Sequence, residues 1–225
     1  MKSKKAPGYY LHPRQEMVEL IAGNPKRVLE VGCGAGLFRT NFKDQVEYWG
    51  VEPCSFAAAQ ARQLLTQVYE GTYEEVSDKL PDQYFDLVVC NDVIEHMSDP
   101  KGFLWNLRRK IADGGSMIVS IPNLRNAVIL YDLLFKGDFQ YVDEGVLDYT
   151  HFHLFTKKSF LQMAESCGWT MTFWCPIRPY RFSPFMNIVL ACIKLFIPEI
   201  KCMQIAARLH PKTTLDASPS SNPTI

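Results

Sequence analysis

The chain has 225 residues, 47% of them hydrophobic and 21% charged, enough for one well-packed α/β domain and too few for two comfortable ones. Lys and Arg number 24, as do Asp and Glu, so no overall field recruits nucleic acid and no basic stripe supplies a local one. Seven cysteines at 33, 54, 90, 167, 175, 192 and 202 form no CxxC pair, which reads as reduced thiols of a cytoplasmic protein and disfavours a disulfide framework or a zinc site.

The basic start Met1–Lys5 runs into Ala6-Pro7-Gly8-Tyr9-Tyr10, where a secretion signal needs an apolar core. A helix is expected from Pro13 to Ala22, with Met17, Val18, Leu20 and Ile21 at helical spacing and Gly23 as its stop. Tyr9 and Tyr10 ahead of it, with Arg14 at its start, either fold over a ligand or simply cap the sheet. Strand one, Arg27 to Val31, carries an internal carboxylate, Glu30, and breaks at Gly32-Cys33-Gly34-Ala35-Gly36. Such a loop turns sharply, admits a ligand to its backbone and enters a helix, here near Ala35. Tyr48 to Val51 is the second strand, ending in Glu52, and Ser55 caps the next helix. Val68-Tyr69 is a short third strand, followed by a loop containing Thr72 and Tyr73.

Tyr84 to Cys90 reads as a buried strand running into Asn91-Asp92-Val93-Ile94-Glu95-His96. Asp99-Pro100 opens a helix expected to close at Gly114-Gly115, before a strand from Met117 to Ile121. Strict alternation of strand and helix predicts a doubly wound, mostly parallel sheet with ligands at the carboxyl ends of its strands. Leu124 to Lys136 reads as a helix, Gly137 to Thr150 as a loop, and Thr156 to Ser166 as a capped helix. Trp169 to Trp174 and Met203 to Ala207 are the last strands expected. Between them, 184–197 is apolar nearly all round, too short to span a bilayer, and reads as buried core, dimer contact or substrate lid, with membrane-surface contact as a further option. The expected organisation is an arm and helix (1–23), a cofactor-binding core (24–122), a segment that completes the same domain and forms the acceptor pocket (123–210), and a disordered tail rich in Thr, Ser and Pro (211–225).

Glycines at 32, 34 and 36 depart from the dinucleotide fingerprint, whose third glycine belongs at position 37, occupied by Leu37. Glu30 would repel a diphosphate but suits an ammonium group, and Glu52 stands where an acid binds ribose hydroxyls. Glu30 and the missing third-position glycine disfavour a nicotinamide-dependent oxidoreductase. On these motifs, together with Phe85-Asp86-Leu87-Val88, Asp92-Val93-Ile94-Glu95-His96 and Gly114-Gly115 before Ser120-Ile121-Pro122-Asn123, the sequence resembles class I S-adenosylmethionine-dependent methyltransferases from about Tyr9 to Arg208. The run Gly145-x-Leu147-Asp148-Tyr149-Thr150-His151-x-x-x-Phe155-Thr156 is similar to a bacterial small-molecule subgroup (type 11/12 methyltransferase domain) associated with glycosyltransferase and polysaccharide genes.

The resemblance implies a Rossmann-like sheet of seven strands, the last antiparallel, and S-adenosyl-L-methionine as cofactor with S-adenosyl-L-homocysteine as product. It further implies that Gly32, Cys33, Gly34 and Gly36 pass under the methionine portion, that Glu30 faces its amino group, and that Glu52, followed by Pro53, grips the ribose. Thr72, where relatives carry an acid, and Tyr73 would flank adenine. Asn91, Asp92 and Val93 would line the cofactor near its methyl, and Arg14 with Tyr9 or Tyr10 would close over its carboxylate. His96 and His151 are the candidate bases for a hydroxyl acceptor, since imidazole titrates near neutrality; each also reads as a brace for its own loop. Asp92, Glu95 and His96, at i, i+3 and i+4, would share one side of a helical turn. Quinone O-methyltransferases and small-RNA 2′-O-methyltransferases use a similar pattern with a divalent metal, although the expected site is metal-free. Transfer to an O or N of a small molecule, such as a sugar or glycan precursor, by a monomer or homodimer is the leading expectation. A silent S-adenosylmethionine-binding scaffold and a metal-assisted enzyme acting on a quinone-like phenol or an RNA ribose are its rivals.

Overall fold

The computed structural model describes residues 11–43 and 45–212. Tyr9, Tyr10 and residues 213–225 lie outside that range. Seven strands form one sheet in the order β3-β2-β1-β4-β5-β7-β6: β1 Arg27–Val31, β2 Glu47–Glu52, β3 Gln67–Glu70, β4 Phe85–Asn91, β5 Ile111–Pro122, β6 Trp169–Pro179 and β7 Cys202–Pro211. β1 pairs in parallel with β2 and β4, and β2 with β3, whereas β6 and β7 are antiparallel. The chain clusters into two units. One runs to Asn91 and adds Asn106–Ile118, and the other comprises Asp92–Trp105 and the chain from Val119 onward.

In the first unit the central strands are covered on both faces, which is why they read as continuous apolar runs: Val28, Leu29 and Val31 in β1, and Leu87, Val88, Val89 and Cys90 in β4, are buried. Helix α1 (Ser55–Ala61) presents Ala57, Ala58 and Ala61, all fully buried, so its backbone packs close. Helix α2 is the single turn Tyr73–Val76.

The two other helices expected here are short 3-10 turns, Gln15–Leu20 and Leu37–Asn41. The first is preceded by Arg14 in left-handed conformation (φ 47°). The second starts only after Gly36 (φ 80°) and stops at an extended Phe42, leaving room for little more than one turn. Asn41 Nδ2 donates to Pro13 O at 2.6 Å and ties the two turns together. Helix α3 (Pro100–Lys110) ends at Lys110, before the glycines expected to close it: the Arg109 and Lys110 carbonyls accept from the Gln83 and Tyr84 amides (2.7 and 3.0 Å) and the chain passes directly into β5 at Ile111, while the buried Lys110 ammonium donates to Leu80 O (2.8 Å) and Asp82 Oδ1 (2.7 Å). Gly114 and Gly115 instead lie within β5, where a Cβ on Gly115 would come within 2.9 Å of Asp86 O.

In the second unit the expected helix after Leu124 is divided into α4 (Ala127–Tyr131) and a π turn, Asp132–Lys136. Asn126 Oδ1 accepts from the Val128 and Ile129 amides and caps α4. Thr156 caps α5 (Lys157–Ser166) as its sequence predicts. Both final strands are longer than expected, and β7 extends through Pro211, into the segment expected to be a disordered tail. The largest departure is α6 (Pro184–Ile193): its composition predicts burial, yet Phe185, Ile188 and Val189 are exposed and only Leu190 is buried. No helix of the described residues is long and apolar enough to cross a membrane. All seven cysteines are free; Cys33, Cys90, Cys167 and Cys202 are buried, and Cys192 is exposed.

Candidate functional site

The first unit gathers two carboxylates around the glycine loop. Glu30, 3% exposed, points one oxygen at the Tyr48 hydroxyl, which donates at 2.9 Å, and the other at Asn91 Nδ2, a long contact of 3.5 Å. Burial outweighs these hydrogen bonds and pushes the Glu30 carboxyl up to about 8, while the Arg14 guanidinium pulls in the opposite direction. Arg14 is itself paired with Glu16 at 3.0 Å. The Oδ1 atom of Asn91 is buried without a hydrogen-bond partner among the described residues. A carboxylate that must shed its charge and an unsatisfied carbonyl oxygen are acceptors suited to a cationic donor group.

Beyond Glu30, Gly32, Gly34 and Gly36 all take positive φ (69°, 54° and 80°), a conformation that only glycine adopts without strain. The Gly32 and Cys33 amides both donate to Val51 O, at 2.8 and 3.2 Å. Cys33 turns its side chain toward β2, where a Cβ on Gly50 would lie 2.6 Å from Sγ. Cys33 therefore locks the loop to the sheet.

Glu52, 4% exposed, accepts from the Gly34 amide (2.8 Å) and the Cys54 amide (2.9 Å), one on each oxygen. Burial raises its pKa, and these two amides counteract part of the rise. Each carboxylate oxygen retains a second acceptor direction, so Glu52 both braces the loop and keeps capacity for a ligand hydroxyl. Pro53 is exposed. Thr72, exposed, anchors the capping box of α2 with Glu75. Tyr73 is 3% exposed and donates to Asn106 Oδ1 at 2.7 Å, so its hydroxyl serves the core.

The second unit builds a separate cluster. Asp92 adopts φ 55°, and its amide donates to Ser120 Oγ (3.1 Å). The Ser120 hydroxyl donates back to Asp92 Oδ1 (2.7 Å), while Gln204 Nε2 donates to Oδ2 (2.7 Å). Val93 is buried. The 3-10 turn begins only at Ile94, so Asp92 is not on one helical face with Glu95 and His96, and the three-residue set expected from spacing does not form. His151 takes the place of Asp92: ligand atoms of Glu95, His96 and His151 all lie within 4.8 Å of one another.

The distant loop supplies that partner through its own hydrogen bonds. Asp148 Oδ1 accepts from the Thr150 amide (2.8 Å) and hydroxyl (2.7 Å), forming an Asx turn. The turn aims Thr150 O at His96 Nδ1 (3.0 Å), and Val146 O meets His151 Nδ1 at 2.9 Å. A carbonyl can only accept, so both Nδ1 atoms carry a proton, and in the neutral imidazole the lone pair is on Nε2. The rings are edge-on at 4.8 Å between centroids. Burial lowers the His96 pKa below the usual 6.5, with the neighbouring His151 adding to the fall. Glu95 is fully buried, and its backbone O accepts from the Phe152 and His153 amides, fixing the loop to the turn. Two imidazoles and a carboxylate make a set able to take a proton or to hold a divalent ion.

A family model described as a methyltransferase domain matches residues 4–172. The chain is 30% identical over 149 residues to a ubiquinone biosynthesis O-methyltransferase of Aeromonas salmonicida, covering 63% of this chain and 59% of that protein. It is 28% identical over 103 residues to the mitochondrial ubiquinone biosynthesis O-methyltransferase of Schizosaccharomyces pombe, covering 42% and 37%. The chain thus spans about three-fifths or less of the length of these relatives. Among solved structures, a SAM-dependent methyltransferase from Archaeoglobus fulgidus aligns over 91% of this chain and 94% of its own, with a TM-score of 0.62 at 18% identity, and shares the fold.

Proposed function

The chain belongs to the methyltransferase-domain family, and from that membership we propose that it is an S-adenosylmethionine-dependent methyltransferase acting on a hydroxyl of a small molecule. The observation that carries the reading is Glu30: a carboxylate enclosed in the first strand, lifted to about 8 by burial, is costly alone and matched by an ammonium group. Glu52 contributes its spare acceptor directions to ribose hydroxyls, and the positive-φ glycines remove side chains from the path of the ligand. When bound, the cofactor supplies a methyl group on a sulfonium sulfur. This chain's task is then to align the acceptor oxygen, exclude water and receive the hydroxyl proton. Nε2 of His96 or His151 is the atom proposed to receive it. The relatives' name supports oxygen as the methylated atom.

Calorimetry tests the reading. We expect S-adenosylhomocysteine to bind with micromolar affinity and Glu52→Ala to weaken it at least about tenfold, the effect of about 1.4 kcal/mol. Absence of binding, or unchanged binding in the variant, overturns it. His151→Asn is expected to lower kcat about a hundredfold or more with little change in cofactor affinity.

A second reading has its own observation, the convergence of Glu95, His96 and His151 within 4.8 Å. With both Nδ1 atoms held by carbonyls, the donor set fits Zn2+, Mn2+ or Mg2+. In that case the metal would lower the pKa of a phenol-like acceptor, and the three residues would act as ligands. Metal analysis of the purified chain, followed by chelation and readdition, separates the readings, because a histidine base working alone is indifferent to chelator.

A further inference from the structure

The apolar pattern of α6 points outward. Phe185, Ile188, Val189, Cys192 and Ile193 recur at the i, i+3, i+4, i+7 and i+8 positions of one stripe, Phe196 follows in the turn after the helix, and every one is exposed, Phe185 at 74%, Ile188 at 69% and Phe196 at 84%. In an ordinary surface helix that stripe faces the core. Here the core side is occupied by Met186, Asn187 and Leu190, and it is pinned: Asn187 Nδ2 donates to Phe182 O (3.0 Å) and Lys201 Nζ donates to Asn187 Oδ1 (2.9 Å). The helix is also capped by Ser183, which accepts from the Met186 amide. Its outward face is therefore a property of a fixed helix.

Charge identifies what covers it. The chain as a whole is neutral, yet no Asp or Glu occurs from Ser166 through Pro198, while exposed Arg178 and Arg181 precede the helix and exposed Lys194 ends it. The next acid, Glu199, is buried and paired with Arg125 at 3.3 Å. A second copy of the same face would set these cations against their own kind. Residues 213–225 contain only Leu215 and Ile225 as large apolar residues, too few to cover the stripe. An apolar stripe on a ten-residue helix, bracketed by cations, has the make-up of an element that lies flat in a lipid headgroup layer.

We propose that α6 and the turn after it dock this protein on an anionic bilayer surface, with Phe185, Ile188 and Phe196 in the acyl boundary and Arg178, Arg181 and Lys194 at the headgroups. This face is independent of the methyltransferase reading.

Flotation of the full chain with vesicles provides the test. The chain is expected to float with equimolar phosphatidylglycerol and phosphatidylcholine, to do so at least about tenfold less with phosphatidylcholine alone, and to be released by salt. Ile188→Asp with Phe196→Asp is expected to abolish flotation while cofactor binding and circular dichroism are retained. Arg178→Glu with Arg181→Glu and Lys194→Glu, which alters only exposed charges, is expected to do the same and decides the matter if the apolar variant misfolds. No flotation on anionic vesicles, or equal flotation on neutral ones, overturns the proposal. So does a lipid-free dimer that Ile188→Asp disperses, which would make the occupant a second copy.

Discussion

Burial keeps Glu30 protonated up to about pH 8, where an exposed carboxyl titrates near 4.5. Between those values the folded chain holds a proton that the unfolded chain has lost, so stability falls as pH rises through the window, by about 1.4 kcal/mol per pH unit for a single such group. Glu30→Gln is expected to flatten that slope in urea titrations. An ammonium ligand works in the opposite sense, favouring the ionised carboxylate, so its binding should release a proton below pH 8 and tighten as pH rises. Calorimetry in buffers of different ionisation enthalpy reads the proton directly, and the Gln variant should show none. His96 titrates on the other limb: with its folded pKa depressed, the unfolded state takes up the proton first as pH drops below 6.5, and stability falls there. At Gly50 the issue is space. A Cβ would stand 2.6 Å from Cys33 Sγ and 2.7 Å from Leu65 Cδ1, so Gly50→Ala should cost about 1–3 kcal/mol, and Gly50→Ala with Cys33→Ala should recover part of it in thermal melts.

Elements differ in how openly the sequence declares them. β1 and β4 were legible because strands buried on both faces write themselves as unbroken apolar runs, and Thr156 and Gly168 mark the ends of α5 with ordinary caps. The turns at Gln15–Leu20 and Leu37–Asn41 were legible only as helical spacing; their tightening depends on Arg14 and Gly36 taking left-handed backbone, which spacing does not encode. The end of α3 is not written in its glycines: it lies at Lys110, where the Arg109 and Lys110 carbonyls accept from the sequence-distant Gln83 and Tyr84 amides. In the candidate site, Glu30, the glycines and Glu52 were readable from local order, whereas the pairing of His96 with His151 joins residues 55 positions apart and needed the Asx turn at Asp148 to become visible. That turn follows a signature the sequence displays, Asp148-Tyr149-Thr150, and is the signal that could have moved His151 into the cluster. Asn126 offers an element-scale test. It is fully buried, caps α4 through two amides and donates to Asn123 O at 2.7 Å, so Asn126→Ala should cost about 1–2 kcal/mol by chemical denaturation.

Across the described residues, apolar exposure is unevenly shared. The first unit exposes Leu11, Phe56 and Leu64 as its large apolar side chains, while the second exposes many more and carries α6 with its apolar stripe in the open. The seven free thiols sample both units, and their burial turns them into a clock. Cys192 is exposed and should react with a thiol reagent at once, while Cys54 and Cys175 are half-buried and should follow. Cys33 and Cys90 in the first unit, and Cys167 and Cys202 in the second, stay dark until their surroundings open. Pulse labelling read by peptide mass would therefore time the opening of each unit separately in one sample, without any engineered probe. Simultaneous labelling of all four would mean that the two units breathe as one. A bound ligand at the glycine loop should slow the pair at 33 and 90 ahead of the pair at 167 and 202, giving an occupancy readout that needs no turnover.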